Sequence, residues 1–432
     1  MKMKSFILLL SSILLKTVDS KLPFFIGTAT SSYQIEGWNR GKSIWDEFTE
    51  KKNLHPVLNA TNHYKMYKED VKLMADLGIK DYRFSISWTR IMPNQINVID
   101  RDGLEFYHNL LNELNKYNIT PYVTIYHWDL PIYLQNEEIN GWLDSRIIDY
   151  FVQYSKVLFE EYSCKVKYWM TINEPLTTSQ QGYGFICSFA PGICSEENMF
   201  LSARNQLLAH AYTADYFHKN YKGEIGIVIN TNWIQPIDES AKEMSRNAMD
   251  RMFGWFMDPL IYGKFPQILE SKNQPFSNEE QELLKRSSDF LAINHYTTSY
   301  IDANGNTWED INWPQAQSLW LYDAPIGMGE LLKYIKERYT TQLPIYITEC
   351  GFSQKNDNIY DVGRVHYLSG YIDQVIKNRG DNIKGFFIWS FLDNFEWASG
   401  YNETFGIVNV NFTDYKRTPK LSSFFIKDLN DL

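Results

Sequence analysis

Two glutamates stand where a solvated surface carboxylate would be out of place. Glu174 follows Thr171, Ile172 and Asn173 and precedes Pro175; Glu349 follows the run Ile345–Thr348. Either one alone reads most simply as a loop carboxylate capping a helix. Two of them aimed at one point are what cleavage of a glycosidic bond needs. One protonates the leaving oxygen, and the other attacks the anomeric carbon or activates water. Sugars present apolar C–H faces and hydroxyl edges, so this chemistry also asks for aromatic platforms and planar polar groups. Trp128, Trp389 and Trp397 are candidate platforms; Gln34, His127, Asn173 and Glu396 are candidate hydrogen-bonding partners. A lone Trp or His is more often core than ligand contact, so the weight rests on the grouping. No Gly-x-Ser-x-Gly elbow supports a serine nucleophile. No Cys/His spacing suits zinc, and the expectation is no metal and no cofactor.

Something must bring these residues together. Eight short β-branched or aromatic runs recur along the chain: Phe24–Thr28, Asp81–Ile86, Ile119–Tyr126, Val166–Ile172, Glu224–Ile229, Phe290–Ile293, Ile345–Thr348 and Lys384–Trp389. Amphipathic stretches separate them, such as His63–Leu77, Leu104–Tyr117, Ile147–Glu161, Met199–His218 and Ile359–Lys377. In His63–Leu77, Tyr64, Tyr67, Val71, Met74 and Leu77 recur every three or four residues, the helical period. Alternating strands and helices imply parallel strands with right-handed crossovers. Eight units closing on themselves predict an α/β fold, a single-domain (β/α)8 TIM barrel. The rival is an open doubly wound sheet, weakened by the lack of a Gly-x-Gly-x-x-Gly after the first run. In a barrel, catalytic groups project from the C-terminal strand ends. Those ends carry Gln34, Arg83 and Trp88, His127 and Trp128, Asn173 and Glu174, then Asn294 and Tyr296, Glu349, and Trp389. Residues 295–326 read as the longest irregular stretch, and a loop of that length in a barrel is usually functional.

Length and composition set the limits. A chain of 432 residues with 44% hydrophobic and 16% aromatic side chains can bury a large core. The length allows two or three domains, or one barrel. A net charge of −10 without a basic block argues against a nucleic-acid partner. Lys2 and Lys4, the apolar run Phe6–Leu15, and Val18 and Ser20 before Lys21 resemble a cleaved signal peptide over residues 1–20. The run is too short to span a bilayer, and nothing later reads as a membrane span. The domain is then 21–432, and the expected location is secreted, extracellular or in the lumen of the secretory pathway. An uncleaved anchor or an ordinary core helix is the other reading of that segment. In such a compartment Cys187 and Cys194, seven apart in a loop, can close a small disulfide ring. Cys164 and Cys350 read as free thiols. Asn59, Asn402 and Asn411 are glycosylation acceptors; Asn118 is a weaker one because Pro121 follows Thr120.

Six ordered motifs resemble family 1 glycoside hydrolases. They are Ser32–Gly37 (SYQIEG), Tyr82–Trp88 (YRFSISW), His127–Pro131 (HWDLP), Thr171–Pro175 (TINEP), Ile345–Gly351 (IYITECG) and Ile388–Trp397 (IWSFLDNFEW). The resemblance runs from about Pro23 to Ile426. It implies a retaining β-glucosidase-like enzyme acting on a small β-glycoside, with Glu349 as nucleophile and Glu174 as acid/base. It places Arg83 and Tyr296 beside Glu349, with Asn294 in support. Gln34, His127, Asn173, Glu396 and Trp397 are expected around the sugar hydroxyls, Trp389 beneath the ring and Phe405 at the edge. The carboxyls of a retaining enzyme sit ≈ 5–5.5 Å apart. Two departures stand out: Cys350 replaces the family's usual Asn, and Thr404 stands where many members have Arg. Rival readings within the resemblance are a catalytically silent klotho-like sugar-binding or receptor protein, and an animal-type thioglucosidase. Preferred sugar, leaving group and oligomeric state are left open.

Overall fold

The computed structural model describes residues 22–431, apart from 58, 356–358 and 379–381. The expected leader, residues 1–20, lies outside them. Eight strands form one closed barrel: β1 Phe25–Ala29, β2 Asp81–Ser85, β3 Thr120–Tyr126, β4 Tyr168–Asn173, β5 Glu224–Asn230, β6 Leu291–Asn294, β7 Ile345–Cys350 and β8 Ile383–Trp389. Each pairs in parallel with its neighbours, and β1 closes the ring on β8 with Phe25 to Ala29 opposite Gly385 to Trp389. That closure excludes the open doubly wound sheet.

All eight expected runs are strands; five end later than expected, β1 by one residue at Ala29 and four others on residues past the apolar pattern. Asn173, Asn230, Asn294 and Cys350 lie inside β4, β5, β6 and β7. The ladder continues past the hydrophobic residues, with Asn230 opposite Asn294 and Asn294 opposite Glu349. Residues 295–326 are not wholly irregular. Thr298–Ile301 pairs with Trp233–Pro236 and with Thr307–Trp308 in a small three-stranded sheet. Such short strands, turned by an Asp302 carboxylate accepting from the Asn304 and Asn306 amides, leave too little periodicity to read.

Helices wrap the ring. Arg101–Lys116 shows why they form: Asp100 caps the first turn by accepting from the Gly103 amide, and Leu104, Tyr107, Leu111 and Leu114 bury one stripe. Inside the barrel, rings from five strands meet. Tyr122 lies 5.4 Å from Phe25, 4.5 Å from Tyr168 and 4.9 Å from Phe387, and Tyr346 lies 6.2 Å from Tyr168, centroid to centroid. Gly385 admits this packing, since a Cβ there would come within 2.2 Å of the Phe25 ring. These aromatics form the floor beneath the strand ends. Among the described residues no helix is long and apolar enough to cross a membrane.

Candidate active site

Glu349 is turned toward the barrel axis by an irregularity in β7. Ile347 pairs with Ile293 but Glu349 pairs with Asn294, so Thr348 is an extra residue. A bulge of this kind at a barrel rim re-aims the side chain that follows. Glu349 is 4% exposed, and each of its oxygens has a donor. Arg83 Nη1 donates to Oε1 at 2.7 Å and Tyr296 Oη to Oε2 at 2.8 Å. Arg83 also donates to the Thr348 carbonyl at 3.1 Å, to Thr124 Oγ1 at 3.2 Å and to Asn173 Oδ1 at 2.7 Å. The guanidinium is thus fixed at several points and supplies the one cation paired with a carboxylate here.

Glu174 sits in a different environment. It follows β4 and precedes the helical turn Pro175–Thr177. Only neutral groups bond to it: Asn294 Nδ2 donates to Oε1 at 2.7 Å and Thr177 Oγ1 to Oε2 at 2.8 Å. Its carboxyl is pushed up to about 7, first by burial and next by the nearby charge of Glu349. Its backbone is left-handed, with φ 49°. Trp128 (φ 73°) and Trp397 (φ 47°) share that rare conformation. Each costs ~1–3 kcal/mol, a strain that clusters at functional sites.

Both carboxylates open into one cavity of ≈ 500 Å³, which His127, Trp128, Asn173, Asn294, Tyr296, Trp389, Glu396, Trp397 and Phe405 also line. Trp128 Nε1 donates to the Asn173 carbonyl at 2.9 Å, and its ring packs 4.6 Å from Trp397. His127 stacks between Trp389 (5.7 Å, 19°) and Trp397 (5.9 Å, 11°). Burial, and then Arg83, hold its imidazole neutral, well below the usual range. Asn173 presents its oxygen to Arg83 and Asn294, so its amide nitrogen is the end that faces His127 Nε2, at 3.1 Å. The carboxyl of Glu396 is pushed up by burial first and by Glu403 next.

The structure thus gathers the expected residues with one difference of degree. Gln34 is fully buried behind the wall and spent on protein groups, donating to Asn394, to the Phe395 carbonyl and to Glu396. Cys350 faces away from the cavity, its thiol 3.4 Å from Tyr367 Oη, and burial raises it far above the ordinary thiol range. Thr404 is buried, and its carbonyl accepts from Arg364 Nη2 at 2.8 Å. Cys187 and Cys194 are joined in a disulfide, beside the cavity residues Ser188 and Phe189, while Cys164 and Cys350 are free. Asn59 is half-buried; Asn402 and Asn411 are exposed.

Sequence reasoning missed several residues. Asn230 Nδ2 donates to Thr177 Oγ1 at 2.9 Å, so a short relay runs Asn230 to Thr177 to Glu174. Asn230 is the last residue of β5, and the strand-end rule applied there finds it. Thr177 lies three residues past Glu174, the spacing at which one helical turn brings side chains together. Gln180, Gln181, Asn232, Met252, Trp320 and Glu403 also line the cavity. Gln180 and Gln181 lie in the helical turn Thr178–Tyr183 and Met252 in Asp250–Gly254, while Asn232, Trp320 and Glu403 lie in irregular segments; apart from Trp320, within the 295–326 stretch, none carries a local signal.

Comparisons with known proteins agree with this geometry. Residues 19–432 match the model of Glycosyl hydrolase family 1. Beta-glucosidase 4 of rice (Oryza sativa subsp. japonica) is 39% identical over 453 residues, covering 93% of this chain and 92% of the relative. Beta-glucosidase 42 of Arabidopsis thaliana is 40% identical over 456 residues, covering 93% and 92%. Among solved structures, a rice β-glucosidase superposes with TM-score 0.89 at 34% identity, covering 94% of this chain and 98% of that one. A mutant of the rice enzyme is described in a covalent complex with Glc (TM-score 0.90).

Proposed function

The chain belongs to Glycosyl hydrolase family 1, and on that premise we propose that Glu349 is the nucleophile and Glu174 the acid/base with which it opens terminal β-D-glycosidic bonds. The protein is an O-glycosyl hydrolase of the β-glucosidase type that acts with retention. The observation that carries the assignment is the contrast between the two carboxylates. Arg83 and Tyr296 favour the ionised form of Glu349, the form that attacks. Glu174 is buried among neutral donors and can hold a proton near neutral pH.

In the first step Glu349 attacks the anomeric carbon while Glu174 gives its proton to the leaving oxygen. The glycosidic bond breaks and a glycosyl ester of Glu349 forms. Esterification removes the charge that helped raise Glu174, so Glu174 ionises more readily. It then takes a proton from water, whose oxygen attacks the anomeric carbon and returns Glu349 as a carboxylate. His127, Asn173, Glu396 and Trp397 fit the sugar hydroxyls and Trp389 and Trp128 its apolar faces, with Phe405 at the rim and Gln34 reached through Glu396. A silent binding protein finds no favouring feature, because both carboxylates and the full polar lining are present; an animal-type thioglucosidase keeps both carboxylates as well, and no feature of the site favours it over the β-glucosidase reading.

The test is hydrolysis of aryl β-glucosides and β-galactosides by the purified protein, with Glu349→Gly inactive and partly restored by azide to give a product of inverted configuration. Azide rescue with inversion at Glu174→Gly, and none at Glu349→Gly, would mean that the roles are exchanged. In the same reading the leader and the acceptors Asn59, Asn402 and Asn411 belong to an exported glycoprotein, checked by a mass loss on endoglycosidase treatment.

A further inference from the structure

Tyr296 donates to Glu349 Oε2 at 2.8 Å, yet its own backbone lies outside the barrel ladder. It falls two residues past the end of β6 and two before the short strand Thr298–Ile301. Two hydroxyls hold it instead. Tyr367 Oη donates to the Tyr296 carbonyl at 2.6 Å and Tyr371 Oη at 2.7 Å. Both come from the helix Val362–Asn378, four residues apart and so on one face, with their rings stacked at 4.1 Å and 25°. Both side chains are fully buried. A carbonyl oxygen has two lone pairs, and here side-chain hydroxyls fill both. One donor is enough to satisfy a buried carbonyl. The second adds a constraint on where it sits.

Cys350, the residue after Glu349, closes the arrangement into a ring. Its Sγ lies 3.4 Å from Tyr367 Oη. Tyr367 spends its own hydrogen on the Tyr296 carbonyl, so the thiol donates and the phenol oxygen accepts. Burial keeps that thiol protonated. The ring runs from Glu349 through the Tyr296 hydroxyl to the Tyr296 carbonyl, on to Tyr367 and Cys350, and back along β7 to Glu349. The neighbour of Glu349 in sequence and its hydrogen-bond donor are thereby tied to one helix. Neither Tyr367 nor Tyr371 is among the described residues that line the cavity. Any effect of theirs on the reaction passes through Tyr296.

Resting on the role proposed for Glu349, we propose that Tyr367 and Tyr371 are positioning residues, which hold the Tyr296 backbone so that its hydroxyl stays aimed at Glu349 while the carboxylate loses its charge to the sugar and regains it. Cys350 steadies Tyr367 with a weak donor, where the family's usual Asn would offer an amide.

The experiment measures kcat and KM on an aryl β-glucoside for Tyr367→Phe, Tyr371→Phe and the double variant, each in the wild-type and in the Tyr296→Phe background. The Phe rings keep the stack and the packing. Each single variant should lower kcat and kcat/KM alike, by about 2–10-fold, the worth of one hydrogen bond. The double variant leaves a buried carbonyl without a donor and should lose more than the product of the two single losses. In the Tyr296→Phe background the same changes should alter kcat by less than about twofold, because the hydroxyl they position is gone. Equal losses in both backgrounds would mean a general structural role and overturn the inference, as would variants that melt lower but keep wild-type kcat.

Should Tyr296→Phe be too slow to measure, the acid limb of kcat/KM decides, in whichever Phe variant folds. Glu349 is faced by Arg83 from β2, Glu174 from beyond β4, Tyr296 from beyond β6 and Glu396 from the loop after β8, and the variants leave all four in place. Misplacing the Tyr296 hydroxyl removes a donor to the ionised carboxylate, so the limb should move to higher pH. A limb that stays put overturns the inference and leaves the roles of the two glutamates standing. Azide rescue with inversion at Glu174→Gly in place of Glu349→Gly would overturn those roles, and this inference with them.

Discussion

Glu174 concentrates the demands of the site in one side chain: a buried acid, a left-handed backbone and two neutral donors. Its ordinary value of 4.5 is raised to about 7, so its acid form is lost as pH rises through about 7. The basic limb of kcat/KM should fall there, and Glu174→Gln should remove that limb while lowering glycosylation of poor leaving groups by ~10²–10⁴-fold. The same shift bears on stability. A carboxyl raised in the folded state contributes fully below its unfolded value, and that contribution is lost as pH climbs through the folded one. Between 4.5 and about 7 the loss reaches about 3 kcal/mol at ~1.36 kcal/mol per unit. Denaturant midpoints of Glu174→Gln should therefore decline less with pH over that window than those of the wild type; parallel curves would contradict the account. The identity of Glu174 was legible because a carboxylate after an apolar strand is anomalous. Its relay through Thr177 to Asn230 was not, because the strand-end rule finds Asn230 but gives no sign that it meets Thr177, 53 residues away on another element.

At the scale of elements, the loop after β8 carries Glu396, Trp397 and Phe405 and depends on a buried charge behind it. Asp393 accepts from Lys420 Nζ at 2.6 Å, from the Gly406 amide at 2.9 Å and from Asn409 Nδ2 at 3.1 Å. Lys420 and Asp393 have almost no exposure. Lys420→Ala strands the aspartate and should cost ~3–5 kcal/mol. Pairing it with Asp393→Asn should recover part of that loss in thermal melts, because the uncompensated charge is gone. A second loop, bearing Ser188 and Phe189, is held by the Cys187–Cys194 bridge. For so short a ring the chain-entropy account gives about 2.5 kcal/mol. Cys187→Ser with Cys194→Ser should lower stability by up to that amount and raise KM more than it lowers kcat. The bridge was readable from seven-residue spacing in a loop. The Asp393–Lys420 pair was not, since 27 residues separate its members and neither has a local motif.

As a whole molecule, the chain that length alone allowed to be two or three domains is one closed barrel. The rhythm of eight runs made the closure legible. The aromatic abundance divides between the cavity wall and the floor, where Tyr122 touches four other rings and Gly385 yields space to Phe25. Which aromatics belong to which set was not readable, because strand residues facing inward and outward are equally apolar when helices cover the outside. Gly385→Val should force a shift in the Phe25 ring and cost ~1–3 kcal/mol or more by overpacking, visible as a lower melting temperature with unchanged KM.

The aromatic floor has a consequence for how a polymer is consumed. With five strands' rings meeting beneath the strand ends, the cavity has no passage down the barrel axis and opens at the strand-end side. On the proposed roles, a chain of β-linked glucose units would have to enter tip first, because an inner linkage could not thread down to Glu349. Digestion of a five-unit oligosaccharide should therefore peel it like a zipper, giving glucose and four-, three- and two-unit remnants in strict succession. Traffic is also ordered, since the cleaved remnant blocks the doorway until it leaves. The bound glucose is last out, and a second sugar waiting at the entrance can capture it before water does.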